Sequence, residues 1–205
     1  VERVSIISTG QLAAWLGIPD SEDDVRLSFA VAATNRAIVS HCGRSFETTT
    51  SASASEREYR AKSYTICDVD DFHTTDGLVV KTGPGDGTYP DTVSSSDYFL
   101  EPVNGRQDGL TVPYRRIRGR SWIFTPDCAP TVQVTAPWGW AGFPAEVTQA
   151  ALIKGARLFK RKDSIEGVLG GFQDFNAVRI SNREDPDVVE LLRYYRTAQA
   201  QLLTP

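Results

Sequence analysis

Apolar positions along this chain keep helical spacing at both ends and strand spacing in between. Near the start, Leu12, Trp15 and Leu16 gather on one side of a short helix over 11–16, with Thr9 placed to cap it and Gly17 to end it. A second helix is expected over 23–42, because Leu27, Val31, Thr34, Ile38 and His41 or Cys42 recur on one face. Ala30, Ala32, Ala33 and Ala37 leave room for close helix contact, and Gly43 stands where a left-handed cap residue belongs. The acids of the turn over 19–24 suit the positive end of that helix.

The middle of the chain reads as short strands between turns. Residues 48–55 are all Ser, Thr and Ala, the composition of a linker. Strands are expected over 58–67, 78–82, 98–101, 121–125 and 131–135. Turns are expected at Asp70-Asp71, Thr75-Asp76-Gly77, at the Gly-rich run 83–87 and at Asn104-Gly105.

Helical spacing returns after Pro144, which fits the first position of a helix over 145–162. Val147, Ala150, Ala151, Leu158 and Phe159 give it an apolar stripe, and Lys160, Arg161 and Lys162 put positive charge at its negative end. A Gly-rich loop over 164–176 holds Gly167, Gly170 and Gly171, and 177–181 is a short extended piece. A final helix starts at Asp185-Pro186 and runs to about Leu203, with Val188, Leu191, Leu192 and Tyr195 on its apolar face. The zones predict an α+β fold: a helical bundle from the N- and C-terminal segments with an inserted small antiparallel β module, divided at 1–47, 48–136 and 137–205. The corner from Pro137 to Pro144, which holds Trp138 and Trp140, contains no acid, base, thiol or hydroxyl. It reads as a joint built for packing.

Charge narrows the choice of partners. The 205 residues carry a formal net charge of −4, which argues against nucleic acid as the main ligand, since that demands clustered cations. The local exception is the segment with Arg115, Arg116, Arg118 and Arg120. It reads either as a β edge protected by charge or as a holder of phosphate or of a neighbouring subunit's acidic face. Cys42, Cys67 and Cys128, an odd number at wide spacing, read as free buried thiols in a reducing compartment. No apolar run reaches the roughly 18 residues of a membrane span, and residues 1–10 lack the pattern of a secretory signal.

Candidate chemistry is thin. Asp68, Asp70, Asp71, His73 and Asp76 are dense in carboxylates, but Phe72 stands where a calcium loop needs polar ligands and glycine. Segment 83–88 lacks the Gly-Lys-Ser/Thr ending of a phosphate loop. His41 and Cys42 diverge by about 100° on a helix, too far apart to act as a nucleophile pair. Adding Cys67 or Cys128 gives no paired zinc spacing. No catalytic, cofactor-binding or metal-binding residue is expected, and the chain reads as no enzyme. For Trp138 and Trp140 the expectation is one in the core and one at an interface, where Trp is enriched.

Several of these segments, in this order, resemble a known family. They are Gln11 to Ile18, the helix ending His41-Cys42-Gly43-Arg44-Ser45-Phe46, Gly77 to Val80, Asp97 to Asn104, Thr135 to Trp140, and Pro144 with the helix bearing Phe159 and Arg161. The order is similar to that of the head-to-tail connector (adaptor) proteins of tailed phages. The resemblance implies a structural virion protein, made in the host cytoplasm, in a ring of commonly twelve copies below the portal. That ring would extend the DNA channel without binding DNA specifically and would meet the portal and a downstream connector, stopper or tail protein. It implies no cofactor and no membrane. The sequence departs from the family in its long β zone, and the 115–120 cluster and the 167–176 loop map onto no family pattern.

A ring needs two different faces per subunit, and complementary charge can fix their register. Arg115, Arg116, Arg118, Trp138 and Trp140 are therefore expected at partner contacts. The helix face of Val188, Leu191, Leu192 and Tyr195 is expected to dock on the portal. The alternative is a non-catalytic β-sheet module that recognises a protein or glycan surface through Trp122, Trp138 or Trp140. A third reading, a hydrolase or nuclease, would place a metal on the Asp68–Asp76 cluster.

Overall fold

The computed structural model describes residues 5–19, 23–47, 54–161, 168–169, 178–179 and 185–197. The chain divides into two compact units, one formed by Val1–Arg44 with Phe143–Pro205 and one by Ser45–Gly142.

In the first unit, helix α1 spans Thr9–Leu16 and is capped by Ser8, one residue before the expected Thr9. Ser8 Oγ accepts from the Gln11 N–H at 3.1 Å, and Gln11 Oε1 accepts from the Ser8 N–H at 2.7 Å, a reciprocal box that satisfies two orphan donors. Helix α2, Asp24–Cys42, buries Leu27, Val31, Thr34, Ile38 and Cys42 together with Ala30. The buried Thr34 hydroxyl is satisfied by donation to the Ala30 carbonyl at 2.7 Å. Helix α3 spans Ala145–Lys160, with Pro144 as its N-cap residue. A Cβ added at Gly155 would lie 3.2 Å from Leu12 Cδ1 and 3.3 Å from Thr34 Oγ1. Glycine is thus what lets α3 approach α1 and α2 so closely.

Helix α4 is shorter than its apolar pattern suggests. Asp185 caps it and Pro186 opens it, but the α-helix ends at Leu192 and a single 3-10 turn, Arg193–Tyr195, follows. The chain then closes on the end of α2, where the Thr197 N–H donates to the Cys42 carbonyl at 2.8 Å. The rest of the expected helix to Leu203 lies outside the described residues, as do Asp20–Glu22 of the acidic turn and 48–53 of the linker. Most of the 164–176 loop does too.

The strands are β1 (Ser55–Tyr59), β2 (Ile66–Phe72), β3 (Val79–Thr82), β4 (Asp91–Thr92), β5 (Tyr98–Glu101), β6 (Arg106–Gln107), β7 (Leu110–Thr111), β8 (Tyr114–Gly119), β9 (Val132–Ala136), β10 (Val168–Leu169) and β11 (Val178–Arg179). In the second unit they make a four-stranded antiparallel sheet, β1-β9-β3-β4, and a three-stranded one, β2-β8-β5. The β6–β7 hairpin turns at Asp108-Gly109, both with positive φ. The two larger sheets share one core of Cys67, Phe72, Val80, Ile117, Phe124, Val132, Val134 and Trp138, among others. β10 and β11 pair as a two-stranded ladder.

The expected fold class is overturned. Among the described residues strands dominate the elements, eleven against four α-helices. Ser45–Gly142 is a body with its own two-sheet core, so the chain is not a helical bundle with a small β insertion. The strand pattern is weak in the sequence because the strands are short and broken. The expected strand 58–67 is the end of β1 and the start of β2, separated by a turn where Ser63 and Ile66 bridge. Asp70 and Asp71 lie inside β2, where a turn was expected. Segment 121–125 is not a strand: the N–H groups of Ile123 and Phe124 both donate to the Tyr64 carbonyl.

Candidate functional site

The arginine-rich segment is β8, the central strand of its sheet, not a protected edge. Its register explains how it bears so much charge. Cys67, Ile117 and Leu100 align across β2, β8 and β5, with Cys67 and Ile117 fully buried. The next row on the other face is Asp68, Arg116 and Glu101. Arg116 donates through Nε to Asp68 and through Nη1 to Glu101 at 3.2 Å, and Arg118 donates to the second Glu101 oxygen at 3.1 Å. The hydrogen bond to Asp68 holds the Arg116 pKa above its ordinary value. Such half-exposed pairs contribute about 0.2–1 kcal/mol each. Arg115, also exposed, donates to Gln107 Oε1 at 3.0 Å.

Trp138 and Trp140 are both interior, only 3% and 4% exposed. Gly139 between them has φ 108°, a conformation other residues rarely adopt, and donates its N–H to the Asp71 carbonyl. Trp138 packs edge-on to Phe72, 5.9 Å between centroids, lies beside Tyr59 and under the Arg57 guanidinium, and donates its indole N–H to the Ser55 carbonyl at 2.8 Å. Trp140 packs against Phe46 and donates to Asp71 Oδ2 at 3.2 Å. The structure thus places the expected interface tryptophan inside the unit with its neighbour.

In the other unit, Val188, Leu192 and Tyr195 are buried and Leu191 is half-buried. The helix proposed from sequence to dock on a partner already spends its apolar face on its own unit. Tyr195 donates its hydroxyl to Glu146 Oε2 at 2.9 Å, and burial followed by that bond pushes its pKa up. Val189 on α4, Tyr194 on the 3-10 turn after it, and Val25 and Phe29 on α2 stand exposed.

The acidic cluster is an ion-pair network along β2. Asp68 faces Arg116 and Lys62, and Asp70 accepts from Arg57 at 2.6 Å and from the Tyr59 hydroxyl at 2.9 Å. His73 Nδ1 lies 3.4 Å from the Gly139 carbonyl. Among the described residues no three His, Cys, Asp or Glu side chains are placed to hold a metal ion. Burial, and then the Asp68 charge, push the Cys67 thiol up to about 12, so at pH 8 it stays protonated and unreactive. Cys42 is buried as well, whereas Cys128 is exposed, against the expectation that all thiols are buried. A thiol-reactive dye at pH 8 is therefore expected to label one cysteine quickly in the folded protein and all three in denaturant. Two fast sites in the folded protein would contradict the burial.

One surface feature has no local sequence signal. Tyr64 and Trp122 stack in the open, 5.3 Å between centroids and 27° between planes, although they lie far apart in the chain. Arg120, two residues from Trp122, sits 5.6 Å over the Phe99 ring.

No helix of the described residues is long and apolar enough to cross a membrane. No family model and no curated protein matches the chain. Among solved structures it is similar, over 96% of its length and 95% of the other chain, to a chain of the "Neck of empty GTA particle computed with C6 symmetry", GTA meaning gene transfer agent. The identity is 14% and the TM-score 0.52. At that identity the likeness establishes a shared fold from end to end.

Proposed function

We propose that this chain is a structural neck component of a phage-like particle: a head-to-tail adaptor that forms a ring beneath the portal, extends the DNA channel and joins the capsid vertex to the tail. The observation that carries this reading is the end-to-end likeness to a chain of a GTA neck. Three features support it. The polar clusters that might have supported catalysis are spent on structural ion pairs, as along β2 and β8. Large apolar side chains remain exposed on both units, as proteins that assemble with partners require. The net charge of −4 suits a channel that passes DNA without gripping it. The neighbour's particle was described with C6 symmetry, and a sixfold neck accommodates six or twelve copies of an adaptor, including the dodecamer expected from sequence.

The chain acts by shape and contact, with no cofactor and no catalytic step. Removing it from the producing particle should leave DNA-filled heads without tails, counted by electron microscopy. Tailed particles in normal number would contradict the reading.

A further inference from the structure

The Tyr64–Trp122 stack is a display that the folding of its own unit does not need. Trp122 is 81% exposed and Tyr64 53%, which forgoes the stabilisation a buried aromatic ring supplies. Neither ring is on a loose loop. The Ile123 and Phe124 N–H groups donate to the Tyr64 carbonyl at 3.1 and 3.0 Å, Gly119 donates to the Thr65 carbonyl at 2.8 Å, and Phe124 anchors the segment in the core. A rigid, exposed aromatic pair is the arrangement that binds with the least ordering cost.

Cations stand near the pair along the chain and the register: Lys62 is two residues before Tyr64, Arg118 aligns with Ile66 beside the Gly119–Thr65 contact, and Arg120 is two residues before Trp122. Lys62 pairs with Asp68 and Arg118 with Glu101. Because Lys62 and Arg118 are already ion-paired, the corner lacks the string of uncompensated cations that a nucleic-acid backbone demands. An acidic protein face answers it better, and the same unit has one. The registers of the four-stranded sheet align Glu58 with Gln133 and Lys81, and Glu56 with Thr135 and Val79, on the side opposite the buried Val134 and Val80. Glu56 and Glu58 are exposed there on the edge strand β1. A twofold contact would set Arg120 against Arg120, whereas a contact that runs from corner to acidic face, head to tail, pairs Arg120 with a carboxylate.

We infer that the Tyr64–Trp122 corner is the surface by which one copy grips the next, docking on the Glu56–Glu58 face of its neighbour. This contact rests on the ring reading above and gives it a direction. It also makes a charge-swap prediction. A copy with R120E has a weakened corner and an unchanged acidic face; a copy with E58R has the reverse. Each alone sets like charge against like charge, whereas a mixture can alternate, and an alternating ring closes only with an even number of copies.

Sedimentation velocity of the full chain over a dilution series tests the contact. W122A is expected to fold with an unchanged unfolding midpoint and to weaken self-association by about thirtyfold or more. R120E and E58R should each self-associate poorly alone and recover when mixed. Wild-type self-association by W122A, or no recovery in the mixture, would overturn this surface and leave the ring reading standing. A wild-type chain that stays monomeric at every concentration, both alone and mixed with the portal protein, would overturn the ring and the contact together. Binding of an oligonucleotide or glycan that W122A loses, with self-association intact, would assign the corner to that ligand and overturn the inference.

Discussion

Replacing Trp138 with alanine is expected to cost the Ser45–Gly142 unit about 3–5 kcal/mol, the range for truncating a buried aromatic ring. The ring is 3% exposed and closes the core between the two sheets, against Phe72 of β2 and Tyr59 of β1. Truncation would also strip the Ser55 carbonyl of its donor and the Arg57 guanidinium of its aromatic face. W138F separates these terms. It keeps much of the packing and loses the hydrogen bond, so about 1–3 kcal/mol is expected for the unsatisfied carbonyl. Both variants can be followed by urea unfolding with near-ultraviolet dichroism. A domain of this size has about 5–15 kcal/mol to lose, so W138A should shift the midpoint strongly. An unchanged midpoint for W138A would mean that the ring is not in the core.

Leu192→Ala should cost the helical unit about 2–5 kcal/mol, because Leu192 is fully buried on the last turn of α4. Val189→Ala and Tyr194→Ala, on the exposed side, should stay within about 0.5 kcal/mol. The contrast decides what α4 is for. A helix reserved for docking would keep its apolar stripe free, and Leu192→Ala would then impair partner binding with stability intact. The geometry predicts the reverse: thermal stability falls with Leu192→Ala, and any contribution of this segment to partner binding comes from Val189 and, on the following turn, Tyr194. Removing residues 186–205 would therefore expose the α3 surface beneath α4 and destabilise the unit, so loss of partner binding in such a truncation would not by itself identify a docking helix.

The helices were legible in sequence because each carries its own signals. Gly17 and Gly43 end α1 and α2 in the left-handed conformation, and Asp185-Pro186 starts α4. The apolar stripe of α2 is the one buried. The extent of α4 was not legible: its stripe continues in sequence, but a tertiary hydrogen bond from Thr197 to Cys42 takes the chain elsewhere. The β unit was harder for a physical reason. Its strands are two to seven residues long, too short for alternation to stand out from chance. β8 reads as a solvated edge in sequence because its outward arginines hide one buried apolar side chain, Ile117, and their carboxylate partners Asp68 and Glu101 come from strands distant in sequence. Asp108-Gly109 is a local hairpin signal, with positive φ at both residues. Trp138 and Trp140 were recognised as a packing corner, but only the tertiary structure shows that each indole N–H is satisfied inside the unit. The Tyr64–Trp122 stack has no local pattern, since it exists only once the turn before β2 lies beside the loop after β8.

Ring formation on the portal is the central claim, and its most direct test is imaging combined with mass determination of the purified chain, alone and mixed with the portal protein of the same particle. A closed ring seated coaxially on the portal, with six or twelve copies of the chain, is the expected result. Monomers in both samples, or an open filament that never closes on the portal, would contradict it.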